Sequence, residues 1–461
     1  MSKLEVDKID PQSGTDLELG TSGDTITIPA GVTFDSSAAT NTLPSNVVTT
    51  DGTQTLTNKN IVASQLTGTV ATSNLGTGTA DSTTFLRGDQ TFASATPADN
   101  SITTAQLAYN PNAFRNIIIN GDMSIAQRAT SVAGITSGNY YTVDRFNMPI
   151  NTMGTFTVSQ STDTPSGQGF SSSTKYDCTT ADASPAAGDF IRFEQYVEAQ
   201  NLQYLKFGTA NAESLTLSFW VKSTKTGTYI AELRNFDGGR TICNSYTINV
   251  SNTWEKKTIT VAGDTDGSGA FNNDNGLGLA CIFWLGAGSD FTSGTLQTTW
   301  GSVVSANRAV GQVNLADSTS NDFYITGVQL EAGTTASEFE FLPFDVNLQR
   351  CQRYYEKSYN LSVAPGTITE IGQSRFFYAN TTSGYQGGNI TFSVKKRTSA
   401  TITSYAPTTG ASGNANYFVF GSSTSVGSVT IQQQSERCFN YYGNGISCDS
   451  SGLQYTADAE L

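Results

Sequence analysis

Nothing limits the possible folds of this 461-residue chain more than the composition of its first 110 residues. They hold 23 threonines, no tryptophan and no cysteine, and 11 acids face four bases. One copy of such a segment cannot remove enough apolar surface from water to offset the entropy lost on ordering it. Short alternating apolar pairs nevertheless recur, at Leu17-x-Leu19, Ile26-x-Ile28 and Val32-x-Phe34. Alternation suits a strand, and clusters this small close a core only when neighbouring chains supply the rest. The expectation is an intertwined homo-oligomeric β-structure, with disorder as the competing reading.

Beyond residue 110 the chain changes character. Asn116–Phe146 opens on Ile117-Ile118-Ile119, turns at Asn120-Gly121-Asp122 and ends on Tyr140-Tyr141-x-x-Asp144-Arg145-Phe146. Asn-Gly supplies the positive φ that a tight turn needs, so this stretch reads as the place where a stalk becomes a head. Strand candidates then follow at short intervals. The clearest is Leu215–Val221, whose Leu215, Leu217, Phe219 and Val221 alternate as on a half-buried strand. Leu202–Phe207 and Phe323–Leu330 read as strands too. Eight or more strands with long loops favour a jelly roll. Phe344–Tyr359 reads as a helix, with Leu348, Cys351 and Tyr355 on one face and Asp345 as N-cap. A second, smaller β-unit follows from Asn360. The fold class expected is all-β: a Thr-rich oligomeric β-shaft (trimeric by the resemblance given below), a jelly-roll sandwich, a short linking helix and a small C-terminal β-sandwich. The divisions are 1–45, 46–113, 114–344 and 345–461.

Charge and missing residue types exclude several functions. A net charge of −14 argues against a sequence-independent grip on nucleic acid and against docking on anionic lipid. Histidine is absent, which removes Ser-His-Asp and Cys-His catalysis and the commonest zinc ligand. The six cysteines form no C-x-x-C pair and read as buried free thiols. No stretch reaches the roughly 20 apolar residues of a membrane span, and MSKLEVDKID lacks a signal's apolar core. Synthesis and folding in a cytoplasm are expected.

Several segments resemble bacteriophage tail fibres of marine and cyanobacterial phages. In the front third these are Leu17–Phe34, Asp51–Ile61 and Ser73–Phe92. The head resembles the carbohydrate-binding-module-like jelly roll of such fibres at both ends. The opening match is Asn116, Asn120, Gly121, Asp122, Ile125, Gln127, Arg128, Asp144, Arg145 and Phe146; the closing match is Gly327–Glu331, Gly333, Phe339, Glu340 and Pro343. Cys351-Gln352-Arg353-Tyr354-Tyr355, Phe392–Pro407 and Tyr455–Leu461 resemble the helix and distal domain of the same fibres. The resemblance implies a homotrimer, with Leu75, Phe85, Leu86 and Phe92 from three copies sharing a narrow core. It also implies attachment of the N-terminus to a tail, adaptor or baseplate protein of the virion, and recognition of a host surface polysaccharide or outer-membrane receptor by the β-units. The location implied is the virion tail, assembled in the bacterial host cytoplasm. No cofactor, no nucleic-acid partner and no enzymatic activity are expected. The alternatives are a glycan-cleaving tailspike depolymerase and a purely structural tail component. Arg128, Arg145, Asp144 and Glu331 read as buried ion-pair partners.

Candidate receptor contacts lie in the distal loops Tyr378–Asn389, Gly410–Tyr417 and Tyr441–Gly445, where tyrosine stands among Asn, Ser and Gly, an adaptable recognition palette. The residues singled out are Tyr378, Tyr385, Tyr417, Tyr441 and Tyr442. The four tryptophans, Trp220, Trp254, Trp284 and Trp300, read mostly as core. Asp264–Asn275 follows a calcium loop at Asp264, Asp266, Ser268 and Gly269, but Asn275 stands where a bidentate Glu belongs; a solvated hairpin loop is the better reading, and no metal site is expected. Glu338/Glu340 and Glu194/Glu198 are the carboxylate pairs that glycan hydrolysis would require.

Overall fold

In a computed structural model the described residues are 114–378, 384–419, 424–446 and 448–461, with residues 84–87, 90–94 and a few isolated positions before them. Two compact units divide the chain, Met1–Thr96 and Pro97–Leu461. Most of the segments that resemble a fibre shaft lie outside the described residues. In the first unit, strands β1 (Thr84–Leu86) and β2 (Phe92–Ser94) form a hairpin that pairs Phe85 with Ala93 and Leu86 with Phe92. Phe85 and Leu86 are 48% and 41% exposed, and Leu75 is 42% exposed.

The second unit begins with one antiparallel sheet of eleven strands. They are β3 (Ser131–Asn139), β4 (Phe146–Ser161), β5 (Ser173–Thr180), β6 (Phe190–Glu198), β7 (Leu215–Ser223), β8 (Gly227–Asn235), β9 (Arg240–Ile248), β10 (Glu255–Val261), β11 (Leu277–Ala287), β12 (Gly301–Ser302) and β13 (Asp322–Ala332). Their order is β10-β7-β13-β5-β4-β6-β11-β8-β9-β12, with β3 beside β4. The sheet curls onto itself. Phe219 of β7 packs 4.9 Å from Phe283 of β11, and Tyr229 of β8 packs 5.6 Å from Phe323 of β13, although neither pair of strands is adjacent.

Strand β4 makes the corner. Its first part pairs with β6 through Asn151, and its second pairs with β5 from Thr155. Between them Thr152 and Gly154 have φ of 48° and 69°. The buried positions run 148, 150, 153, 156, 158, so the period of two breaks at the bend. The corner sends one strand into both layers and closes the jelly roll.

Leu202–Phe207 is not a strand. Ala199–Leu205 is a 3-10 helix, and Ala199, Leu202 and Leu205 are all fully buried. A spacing of three is the period of that helix, whereas the pairs Leu202/Tyr204 and Leu205/Phe207, two apart, mimic a strand. The linking helix is also shorter than expected. It spans Phe344–Gln352, with Pro343 at the N-cap and Asp345 inside the first turn. Tyr355 instead begins strand β14 (Tyr355–Lys357).

The distal part holds β15 (Ser374–Phe377), β16 (Gly384–Thr391), β17 (Thr401–Tyr405), β18 (Asn414–Phe418), β19 (Ser425–Ser428), β20 (Thr430–Gln432), β21 (Cys438–Ile446) and β22 (Ser450–Asp458). Strand β22 pairs with β14, β15, β17 and β18, and eight of its nine residues are buried. A separate sheet, β16-β21-β20, completes this part.

Head and tip meet at a buried polar joint. Arg145, fully buried, pairs with Glu460, donates to the Tyr196 carbonyl at 2.6 Å and lies 3.4 Å from the centre of the Tyr354 ring. Arg128 stacks 3.7 Å over Tyr355 and pairs with Asp458 at 3.0 Å and Glu460 at 3.3 Å. Asp144 and Glu331 are also fully buried. Asp144 accepts from the Gln127 backbone, and Glu331 accepts from Ser337. The head's two end motifs lie side by side: Ile117 donates to Leu330 and Val328 to Gly121.

Candidate functional site

The clearest recognition surface is the outer face of β16-β21-β20. Period-two alternation along β21 sends Phe439 and Tyr441 into the tip core, where both are at most 1% exposed, and leaves Asn440 and Tyr442 on the other face. Across the sheet Asn440 is paired with Asn389 on one side and Gln432 on the other. The side chains repeat that order. Asn389 donates to Asn440 at 2.6 Å, Asn440 donates to Gln433, and Gln432 donates to the Tyr442 hydroxyl at 3.3 Å. Asn389, Gln432 and Gln433 are exposed. Together with Gly387, Gly388 and Tyr442 they line an open groove of about 600 Å³. The amides offer paired donors and acceptors. That is chemistry suited to sugar hydroxyls.

The five tyrosines singled out from sequence separate. Tyr442 lines the groove. Tyr417 and Tyr441 are core residues, 0% and 1% exposed, so they are not surface contacts of this chain. Burial raises the phenol pKa of both. The Tyr441 hydroxyl bonds Ser451 at 2.8 Å. Tyr378 packs against the same core, and its hydroxyl meets Ser451 and the Gly387 carbonyl. Tyr385 stands on β16 opposite Asn444, and its side chain lies outside the described residues. Asn389 closes the candidate segment Tyr378–Asn389, whereas Asn440, Gln432 and Gln433 lie outside the segments singled out from sequence; their signal is the Ile431-Gln432-Gln433-Gln434 run beside a strand.

Other candidates are occupied by the fold. Trp284 is fully buried, and its indole donates to Glu232, which also pairs with Arg308 at 2.9 Å. Trp300 donates to the Ala262 carbonyl and packs edge-on to Phe207. Asp264 is buried and grips Arg240 through both oxygens, at 2.6 and 3.1 Å. That uses the carboxylate a calcium ion would need, and no metal-holding group of acids or cysteines occurs among the described residues. Glu340 accepts from the backbone of Arg115 and Asn116. Glu194 meets Tyr196 and Arg192. Glu198, fully buried, takes both prongs of Arg353 at 2.7 Å together with the Tyr354 hydroxyl. Burial pushes its pKa up, but these donors outweigh that and hold it below the usual glutamate value. All six cysteines are free.

Beside the joint lies a larger cleft of about 670 Å³. The start of the head, the end of β6, the 3-10 helix and the linking helix form its walls, and Lys395 stands at its edge.

No known protein family matches the sequence, and no curated protein does. Solved structures give partial likenesses. The enzymatically active domain of tailspike protein 4 from bacteriophage CBA120 is 15% identical over 48% of this chain and 22% of its own, with a TM-score of 0.25. A carbohydrate-binding module, TmCBM61, in complex with β-1,4-galactotriose is 11% identical over 47% of this chain and 99% of its own, at 0.22. The CBM22-1 xylan-binding domain of Paenibacillus barcinonensis Xyn10C is 10% identical over 46% and 100%, at 0.22. This chain thus spans about a fifth of that tailspike chain and all or nearly all of the two modules. Likenesses at such scores carry no weight for function.

Proposed function

We propose that this chain is a receptor-binding tail-fibre protein of a bacteriophage, which attaches the particle to glycan on the host surface. The observation that carries the reading is the row of amides across the outer face of β16-β21-β20, backed by Tyr442. Such a row offers donors and acceptors to sugar hydroxyls without a bond having to break. The fibre motifs of the sequence support the same reading. Gln127, Arg128, Asp144, Arg145, Tyr354 and Tyr355 come from segments that resemble fibres, and they meet in one joint that sets the tip against the head.

The assembly is a homotrimer in this reading. Phe85 and Leu86 sit on a three-residue strand with about half their surface open. Copies of that hairpin packed together would cover them, and three-fold display would strengthen weak single-site binding. The N-terminus would dock on a virion tail protein. Purified full-length protein should sediment at three times 48.9 kDa, bind host cells and block adsorption of the phage. The double variant Gln432→Ala/Gln433→Ala should keep the mass and lose cell binding. Undiminished binding by that variant removes the groove from the reading, and a folded monomer removes the trimer.

A further inference from the structure

The cleft beside the joint has a charge pattern opposite to that of the molecule. Acids outnumber bases 39 to 25 along the chain. Yet the cleft's fourteen lining residues include Arg350, Arg353 and Lys395 and not one carboxylate. Two of these cations are already matched, Arg353 by Glu198 at 2.7 Å and Lys395 by Glu436 at 2.6 Å. Arg350 is not. It projects from the last turn of the linking helix, half-buried, and among the described residues no hydrogen bond or ion pair holds its guanidinium. Its attraction to Glu340 acts through space, because Glu340 accepts from the backbone of Arg115 and Asn116. Burial accordingly draws the Arg350 pKa down from its ordinary value. A planar fork of donors, partly stripped of water and without an acceptor, is a receptor for an oxyanion.

The other wall supplies what a sugar needs. Tyr204 is 46% exposed, a ring on which a pyranose can lie. Asn201 is exposed and its amide has no partner among the described residues, while Gln200 spends its NH₂ group on Glu198 and keeps its carbonyl oxygen. The volume falls within the usual range for small-ligand sites. We infer that this cleft binds an acidic oligosaccharide, with a sugar carboxylate on Arg350, a ring against Tyr204 and hydroxyls on Asn201 and Gln200. A monoanion is the match for one uncompensated cation; a phosphate monoester, nearer two charges, would exceed it inside a strongly acidic protein. The inference rests on the reading of this chain as a glycan-binding attachment protein, but it concerns a surface separate from the tip groove.

Calorimetric titration of the protein with a galactotriose carrying one galacturonic acid ring, unmodified galactotriose and inorganic phosphate tests it. The wild type should prefer the acidic trisaccharide to the neutral one by about tenfold or more, as expected for a charge-assisted hydrogen bond, and should bind phosphate more weakly than the acidic sugar. Arg350→Gln should erase the preference, and Tyr204→Ala should weaken binding of both sugars. Gln432→Ala/Gln433→Ala should leave these titrations unchanged. Far-ultraviolet dichroism and tryptophan emission establish that each variant is folded. Equal binding of the two sugars, no binding by the wild type, preference for phosphate, or an Arg350→Gln variant with wild-type selectivity would each overturn the inference. If Arg350→Gln instead alters the oligomeric state, the cleft is a contact between copies and the inference falls. Loss of cell binding in the tip variant, with the cleft silent, would leave the attachment function standing and remove only this site.

Discussion

Removing one carboxylate at the joint should separate the tip from the head energetically. Glu460 is the counter-charge of Arg145, whose side chain has no exposure at all. In Glu460→Gln, Arg145 keeps the Tyr196 carbonyl at 2.6 Å and the Tyr354 ring at 3.4 Å, but both are uncharged acceptors. Breaking a buried pair by removing one partner costs about 3–5 kcal/mol. The glutamine oxygen can still accept one hydrogen bond, which returns about 1 kcal/mol. Arg128 also loses a contact at 3.3 Å but retains Asp458 at 3.0 Å. The expected cost is therefore about 2–4 kcal/mol. Arg145→Met leaves Glu460 with Arg128 and should cost less. The double variant should cost less than the two single variants added together, with a coupling of at least about 1 kcal/mol. Urea unfolding can report the two sides separately. All four tryptophans lie between residues 220 and 300, in the head, and the tip has none. Tryptophan emission follows the head, and hydrogen exchange of the β22 amides, read by mass spectrometry along the same urea series, follows the tip. Both transitions should shift in Glu460→Gln, the tip more. A coupling below about 0.5 kcal/mol would refute the reasoning, since it would mean that Arg145 is already satisfied without a counter-charge.

Glu198 has its pKa held down in the folded protein, so its contribution to stability is complete above the ordinary glutamate value of 4.5 and is lost as the pH falls through the folded value; thermal melts should show wild type losing more stability below pH 4.5 than Glu198→Gln does. Gly121→Ala would place a Cβ 2.0 Å from the Val328 carbonyl oxygen, backbone against backbone, and should cost at least about 2 kcal/mol in urea or leave the protein insoluble; wild-type stability would disprove the clash. Calcium at millimolar concentration should move the melting temperature by less than about 1 °C, because Arg240 occupies both oxygens of Asp264; a rise of several degrees would show that the arginine yields to the ion.

What could be read from the residues depended on whether one chain decides the matter by itself. The strand Leu215–Val221 was legible because its apolar residues alternate, and it is a strand from Leu215 to Ser223. Yet Thr216 and Ser218 on its other face are buried as well. That face lies under Phe339 and Phe341 of the closing segment, which line a small pocket with Ser218 and Trp220, and alternation within one strand carries no information about a segment 120 residues away. The burial of Asp144, Arg145 and Glu331, and the half-burial of Arg128, was legible from motif context, whereas the partners Glu460 and Tyr354 were not, because ion pairs across hundreds of residues leave no local period. The corner in β4 was hidden for a related reason: a bend that shifts the apolar phase looks, in sequence, like the end of a strand. Tip recognition shows the sharpest limit. Tyr441 and Tyr442 are neighbours of the same type, and only the direction of the pleat separates a core residue from a surface one. Once β21 is paired, the amides of Asn440 and its cross-strand neighbours are forced outward together. A recognition surface made that way is a property of register, so a one-residue slip of β21 would bury its asparagine and expose Phe439 and Tyr441. The same consideration explains why the inward ring contacts matter to binding: Phe439 packs at 5.3 Å from Tyr455 and Tyr441 at 5.7 Å from Phe376, and these fix the phase that presents the groove.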